Sequence, residues 1–317
     1  MEVKLGNRPM VFPGPKLKQL EPCNHLLGNK QALQKELDEK GYIFLNNFHD
    51  RDAVLNARKA VLHYLKEQGQ QILDTLHYDL DEGFLNPRCG LGCIPFMEGR
   101  NSLTHCDAMK RVIEGNHVFS FFEELFGGEA ITFDFKWLRA MHRSGYTGAH
   151  IDRVYMSRGS QSLLTMWTPL GDITADMGVL AVCERSHVES GFKQFQATYG
   201  NCDIEAENVS GTGWFTEDPD DISKMGGVWR TENFKAGDVI IFNIRLAHMS
   251  TANLTNQARL SCDTRWQPKA HKADPRFMGS FANVKPKFGV HAYNNPNEKS
   301  KAPKTMETMK KEWGFEI

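Results

Sequence analysis

The sequence lacks any apolar run approaching the roughly 18 residues that a bilayer crossing needs, so no membrane-spanning helix is expected. Its opening segment, Met1 to Lys16, carries no apolar core of the kind a secretory leader has, and its last residues do not spell a peroxisomal address. A cytoplasmic location is the expectation. Net charge is also lacking: Lys and Arg number 38 against 39 Asp and Glu, a balance of −1. At the level of the whole chain, therefore, nothing points to nucleic acid or a membrane surface as a partner. Internal repeats and low-complexity tracts are absent. The 7 cysteines are odd in number and irregularly spaced. The nearest pair, Cys89 and Cys93, has no second pair at zinc-ribbon spacing. Reduced structural thiols are expected, not a disulfide framework or a cysteine zinc site.

What is present is ordinary globular composition, 24% charged and 40% hydrophobic, over 317 residues. That length suits one large domain or two small ones. The first part reads as helix with isolated strands. Residues 31–40 are strong helix formers stopped by Gly41, and YIFL at 42–45 is a short strand. Asp50 can cap a helix running to Gly69, with Val54, Ala57, Val61 and Leu65 on one face. VFSFFEELFGG at 118–128 is a further helix ended by glycines.

From about residue 131 the character changes. ITFDFKWLRAM, AHIDRVYM, SLLTMWTPL, GVLAVCE, DVIIFN and ARLSCDTRWQ are short, rich in β-branched and aromatic residues, and separated by turn formers. Many short strands with long connections predict a mainly β fold with flanking helices: a double-stranded β-helix, or jelly roll, with helices buttressing one sheet. The expected organisation is a single domain. It has a helical and mixed part over 1–130, a β core over 131–270 with an insertion at 189–232, and a tail over 271–317. The insertion is a candidate functional loop over a site mouth. The lysine-rich stretch from 294 reads as a solvated face.

The chemically informative element is His150-Ile151-Asp152, paired with His248-Met249-Ser250. Residues two apart on a strand share a face, so His150 and Asp152 can reach one metal, and His248 can join them from another strand. Two imidazoles and a carboxylate form the facial set used by non-haem Fe(II) oxygenases, with positions left open for a keto acid and dioxygen. Alone, H-x-D is a weak signal, and a surface or satisfied-core pair is the reading it favours. Arg259 adds the second half. It follows His248 across the turn formers STANLTNQA, so a tight hairpin would return it beside that histidine. Its guanidinium can then grip the far carboxylate of a dicarboxylic keto acid, with Ser250 donating a second hydrogen bond.

These residues, with Gly178 to His187, Gly237-Asp238 ahead of the His248 strand, and the R-x-S-x-D-x-R run from Arg259 to Arg265, resemble the phytanoyl-CoA dioxygenase family of Fe(II)/2-oxoglutarate oxygenases. The resemblance spans roughly residues 130–270. It implies Fe(II), 2-oxoglutarate and O2 as cofactor and co-substrates, and hydroxylation coupled to decarboxylation of 2-oxoglutarate to succinate. It also implies that Trp167, in LLTMWTPLGD, helps Ser250 and Arg259 hold the keto acid. Halogenating relatives replace the acidic ligand with a small residue, so Asp152 implies hydroxylation.

On the substrate side the candidates are Arg265, Arg245 and Trp229. Arg265 either pairs with Asp263, the reading preferred, or faces an anionic group of a small-molecule substrate. Arg245 is ambiguous. Trp214, Phe215 and Trp229 form either a lid or a small core within the long loop. Arg153 is expected at the surface, and His187 and His142 in structural roles. Two other functions compete: a jelly-roll binding protein without turnover, and a cupin-type metal-dependent hydrolase or isomerase. The first has no need to keep metal ligands and clamp together; the second has no need of the clamp.

Overall fold

The computed structural model describes residues 1–67, 72–90, 93–94, 98–279 and 302–315. Along the chain come strands β1 (Glu2–Leu5), β2 (Arg8–Val11) and β3 (Leu17–Gln19), helix α1 (Lys30–Glu39), β4 (Tyr42–Leu45) and α2 (Arg51–Glu67). After these come β5 (Cys93–Ile94), α3 (Asp107–Ile113), α4 (Asn116–Phe126), β6 (Ala130–Thr132), β7 (Trp137–Met141), β8 (Leu164–Pro169) and β9 (Leu180–Glu184). Helices α5 (Lys193–Ala197) and α6 (Pro219–Ser223) precede β10 (Val228–Thr231), β11 (Val239–Asn243), β12 (His248–Ser250), β13 (Arg259–Pro268) and α7 (Met306–Glu312).

Strands β1 and β2 pair with each other in a separate antiparallel ribbon, and the others build a jelly roll of two facing sheets. The larger has the order β4-β11-β8-β13-β7-β5, with β6 also pairing β13; the smaller has the order β12-β9-β10-β3. β13 is the spine of the larger sheet, and its alternation decides what each face does. Leu260, Cys262 and Trp266 point outward to the helices. They share apolar clusters with Val61 and Leu65 of α2, Met109 and Val112 of α3, and Phe122 of α4. Trp266 stacks on Phe122 with centroids 4.5 Å apart and an interplanar angle of 7°. The opposite face, with Arg259, Ser261, Asp263 and Arg265, turns toward the smaller sheet. The expected helix-buttressed sheet is thus present. Helix α4 ends as its sequence indicates, with Gly127 at φ +74° in the left-handed conformation.

Several expectations change. ITFDFKWLRAM divides into β6 and β7. Residues 189–232, expected as a loop over a site mouth, include α5, α6 and β10, and β10 pairs β9 antiparallel and β3 parallel. Phe192, Phe195, Tyr199, Phe215, Ile222 and Trp229 from this segment are buried in the core between the sheets. Its aromatic residues are spaced by polar ones without a period, so burial does not show as a pattern. β12 and β13 do not form a hairpin: they lie in different sheets, and residues 251–258 cross between them. Most of the lysine-rich stretch from 294 falls outside the described residues. Within residues 302–315, Met306 and Met309 of α7 are buried against the core, and Lys310 Nζ sits 4.4 Å above the Phe215 ring. The Cys93 side chain is outside the description; Cys23, Cys89, Cys106, Cys183 and Cys262 form no disulfide.

Candidate metal centre

His150 and His248 are held opposite each other by the backbone. Each N–H donates to the other's carbonyl, at 3.0 and 2.9 Å, and the ring centroids are 4.1 Å apart. Ile151 is still extended (φ −122°, ψ 142°), so His150 and Asp152 lie two residues apart on extended backbone and share a side; the chain turns only at Asp152, into a single 3-10 turn, Asp152–Val154. That turn explains why AHIDRVYM is not a continuous strand.

Both imidazoles are fixed by backbone acceptors. His150 Nδ1 donates to the Gly148 carbonyl at 2.8 Å, and His248 Nδ1 to the Leu246 carbonyl at 3.0 Å. A carbonyl can only accept, so the proton sits on Nδ1 and each Nε2 keeps its lone pair. Those lone pairs face the same atom: Asp152 Oδ1 lies 3.9 Å from His150 Nε2 and 3.8 Å from His248 Nε2. The other carboxylate oxygen is occupied. Asp152 Oδ2 accepts from the Thr165 hydroxyl and forms an ion pair with the Arg265 guanidinium at 3.1 Å. One oxygen is thereby pinned and the other presented.

Electrostatics matches this division of labour. All three groups are buried, with relative exposures of 7, 3 and 5% for His150, Asp152 and His248. Burial pushes His150 down to about 3 and lowers His248 as well, so both rings are neutral at neutral pH and able to ligate a metal. For Asp152, burial favours the protonated acid. The Arg265 charge, followed by the histidines and the Thr165 hydroxyl, outweighs it and holds the carboxyl below the usual range.

The donor set fits a divalent first-row metal. Two ligands at ~2.1 Å from one ion can be no more than ~4.2 Å apart, and the Asp152–histidine spacings lie inside that limit. Two neutral imidazoles with one carboxylate suit Fe(II).

One pocket contains this centre. Trp167, Leu180 and Phe242 supply its apolar surface, and Ser250, Arg259, Thr147, Arg139 and Asp263 its polar surface. Arg259 is only 2% exposed; its guanidinium donates to Ser261 Oγ and contacts Met141 Sδ. Ser250 Oγ accepts from the Thr147 N–H at 2.8 Å, which leaves its own hydrogen to donate. The residues expected to form the site, His150, Asp152, His248, Ser250, Trp167 and Arg259, all line this pocket.

The profile of the family described as "Phytanoyl-CoA dioxygenase (PhyH)" matches residues 31–261. The chain belongs to the phytanoyl-CoA dioxygenase family. As a member it is an Fe(II)- and 2-oxoglutarate-dependent oxygenase that consumes O2. It is similar to 1-deoxypentalenic acid 11-beta-hydroxylase of Streptomyces exfoliatus, with 27% identity over 271 residues, 78% of this chain and 84% of that protein. Among solved structures it resembles the epimerase SnoN in complex with Fe3+, alpha ketoglutarate and nogalamycin RO, at TM-score 0.51 and 17% identity, covering 78% of this chain and 87% of that one. It also resembles the carbocyclase SnoK, at TM-score 0.53 and 16% identity, covering 81% and 90%. Both likenesses concern the fold.

In this phytanoyl-CoA dioxygenase family member the three substrate-side candidates do not line the pocket. Arg265 does not offer itself to an anion: it is 2% exposed, lies over the Trp137 ring at 4.4 Å, and is closer to Asp152, at 3.1 Å, than to Asp263, at 3.9 Å. The preferred Asp263 pairing is thus the weaker of its two. Arg245 turns to Gln196 and Asn201. Trp229 is fully buried between the sheets and donates to the Pro219 carbonyl at 3.0 Å, so it is packing and not a lid. Arg153 bonds Gln161, His187 bonds the Asp38 carbonyl, and His142 is buried. The sequence reading missed Thr165, Thr147 and Arg139. Their signal is cross-strand register, which composition does not reveal. Among the described residues no helix is long and apolar enough to cross a membrane.

Proposed function

We propose that His150, Asp152 and His248 hold Fe(II), that Arg259, Ser250 and Trp167 hold 2-oxoglutarate, and that the enzyme hydroxylates a small organic molecule. The observation carrying this reading is the convergence of two histidines and a carboxylate with a desolvated arginine in one pocket. Bound iron would activate O2, the oxidant, for the balanced reaction R–H + 2-oxoglutarate + O2 → R–OH + succinate + CO2.

The protein's part is preorganisation. The Gly148 and Leu246 carbonyls keep both Nδ1 protons away from the metal side, and Thr165 with Arg265 keeps Asp152 ionised and oriented. Arg259, already out of water, meets a carboxylate at little further desolvation cost, and the fork geometry permits two parallel hydrogen bonds. Trp167, Leu180 and Phe242 keep water from the rest of the pocket. Asp152 as the third ligand supports hydroxylation as the outcome. A reducing cytoplasm suits the buried Cys183 and Cys262, whose thiols burial pushes up and so keeps protonated.

The test is succinate release by protein loaded with Fe(II) and 2-oxoglutarate without oxygen and then aerated, alongside calorimetric Mn(II) titration. Wild type should release succinate slowly and bind the metal; His248→Ala should do neither. Equal release by both would refute the assignment. Metal binding without release from wild type would favour a binding protein.

A further inference from the structure

Metal and keto acid together leave one carboxylate of the pocket unused. Asp263 sits on β13 between Arg259 and Arg265, with Trp137 opposite on β7 and Trp167 opposite on β8. It is 8% exposed and lines the pocket. Its Oδ2 has cationic neighbours, Arg139 Nε at 3.4 Å and Arg265 at 3.9 Å. Its Oδ1 is buried and has no hydrogen-bond partner among the described residues.

A buried carboxylate oxygen needs a donor, since leaving it unmet forfeits solvation without compensation. 2-Oxoglutarate cannot supply one, because its two carboxylates and its ketone only accept. The remaining visitor to the pocket is the substrate. Resting on the oxygenase reading above, we infer that Asp263 Oδ1 orients the substrate by accepting a hydrogen bond from an alcohol hydroxyl on an otherwise apolar skeleton. Charge selects the hydroxyl over an ammonium. Two guanidiniums already flank Asp263, so a further cation would meet repulsion where a neutral donor meets none. Apolarity follows from Trp167, Leu180 and Phe242, which form the surface around the centre.

The test uses four probes of one shape: cyclohexanol, methoxycyclohexane, methylcyclohexane and cyclohexylamine. Binding is followed without oxygen by tryptophan fluorescence, which Trp137 and Trp167 beside Asp263 should report, and probe-stimulated succinate release is measured in parallel. Wild type should bind cyclohexanol about tenfold more tightly than the ether or the hydrocarbon. Asp263→Leu should lose that preference. Asp263→Asn, which keeps an acceptor oxygen and guards against a folding defect, should retain it. Equal binding of alcohol and methylcyclohexane, tighter binding of the amine, binding of no probe, or a preference surviving in Asp263→Leu would each overturn the inference. The last would mean that water satisfies Oδ1. Absence of succinate from wild type without any probe would instead sink the oxygenase reading, and the fluorescence preference is scored independently of it.

Discussion

Arg265→Met isolates the electrostatic support of the metal site. The guanidinium lies 3.1 Å from Asp152 and 3.9 Å from Asp263, and it is 2% exposed. Methionine keeps a flexible contact with Trp137 and removes the charge. At 3.1 Å and an effective dielectric near 20, the lost attraction to Asp152 is roughly 5 kcal/mol. Removing one partner of a buried pair typically costs ~3–5 kcal/mol. For a chain of 317 residues the melting temperature of the metal-free protein should fall by roughly 5–8 °C. The deficit should depend on pH. In wild type Asp152 titrates below its unfolded value, so it contributes stability above about pH 4 and loses it as pH falls through the folded value. Without Arg265, burial is opposed only by the histidines and the Thr165 hydroxyl, so Asp152 titrates higher than in wild type and the deficit is largest near pH 7 and shrinks toward pH 4. Mn(II), which replaces the missing positive charge, should raise the variant's melting temperature more than that of wild type. Scanning calorimetry from pH 4 to 8, with and without Mn(II), measures both effects. The control is Arg51→Met, whose pair with Asp172 is half exposed at 50 and 47% and is worth ~0–1 kcal/mol. A deficit no larger than the control's, or one flat with pH, would refute the reasoning.

Other perturbations probe the remaining parts. Arg259→Leu removes the carboxylate clamp and should raise the 2-oxoglutarate KM by about tenfold to a hundredfold, read from initial rates of succinate formation; an unchanged KM rules out the clamp. Gly148→Ala would place a methyl 2.6 Å from Trp214 Cε3 and 2.9 Å from the Thr216 carbonyl. It should cost ~1–3 kcal/mol in urea unfolding and weaken Mn(II) binding by disturbing the carbonyl that holds His150, whereas wild-type values for both would contradict that account. His49, held down to about 3 by burial and then by His117, stays neutral in the fold while the unfolded chain takes up a proton below about pH 6.5. Its contribution is present above that pH and is lost on acidification, by up to ~1.4 kcal/mol per pH unit. His49→Gln should flatten this part of the stability profile, and an unaltered slope between pH 6.5 and 4.5 would count against it.

The candidate ligands are readable because metal chemistry selects residue types, and the structure brings His150, Asp152 and His248 within reach of one ion. The alternation of Arg259, Ser261, Asp263 and Arg265 is readable for a similar reason: a strand has a period of two, and one face of β13 is polar. The local path is less readable. The chain stays extended through Ile151, as H-x-D suggests, and turns only at Asp152, but residues 251–258 pass between sheets where turn formers suggest a hairpin. The hairpin reading therefore took Arg259 to the pocket by the wrong route. Turn chemistry tells where a chain reverses, not which sheet it next joins. Trp229 shows the same limit, since an aromatic residue in a polar stretch carries no mark separating lid from core.

The support of Asp152 lies beyond any local pattern. Thr165 and Arg265 are directly opposite each other in the β8–β13 ladder, and both point at the same oxygen, Asp152 Oδ2. Neither residue signals the other in sequence; the ladder register alone makes them a pair. A slip of β13 by one residue would turn Arg265 to the helix face, away from Thr165, and bring Trp266 inward. The outward stacking of Trp266 on Phe122 of α4 opposes that slip. Packing on the helix side therefore holds in register the residues that aim the metal ligand on the other side of the same strand.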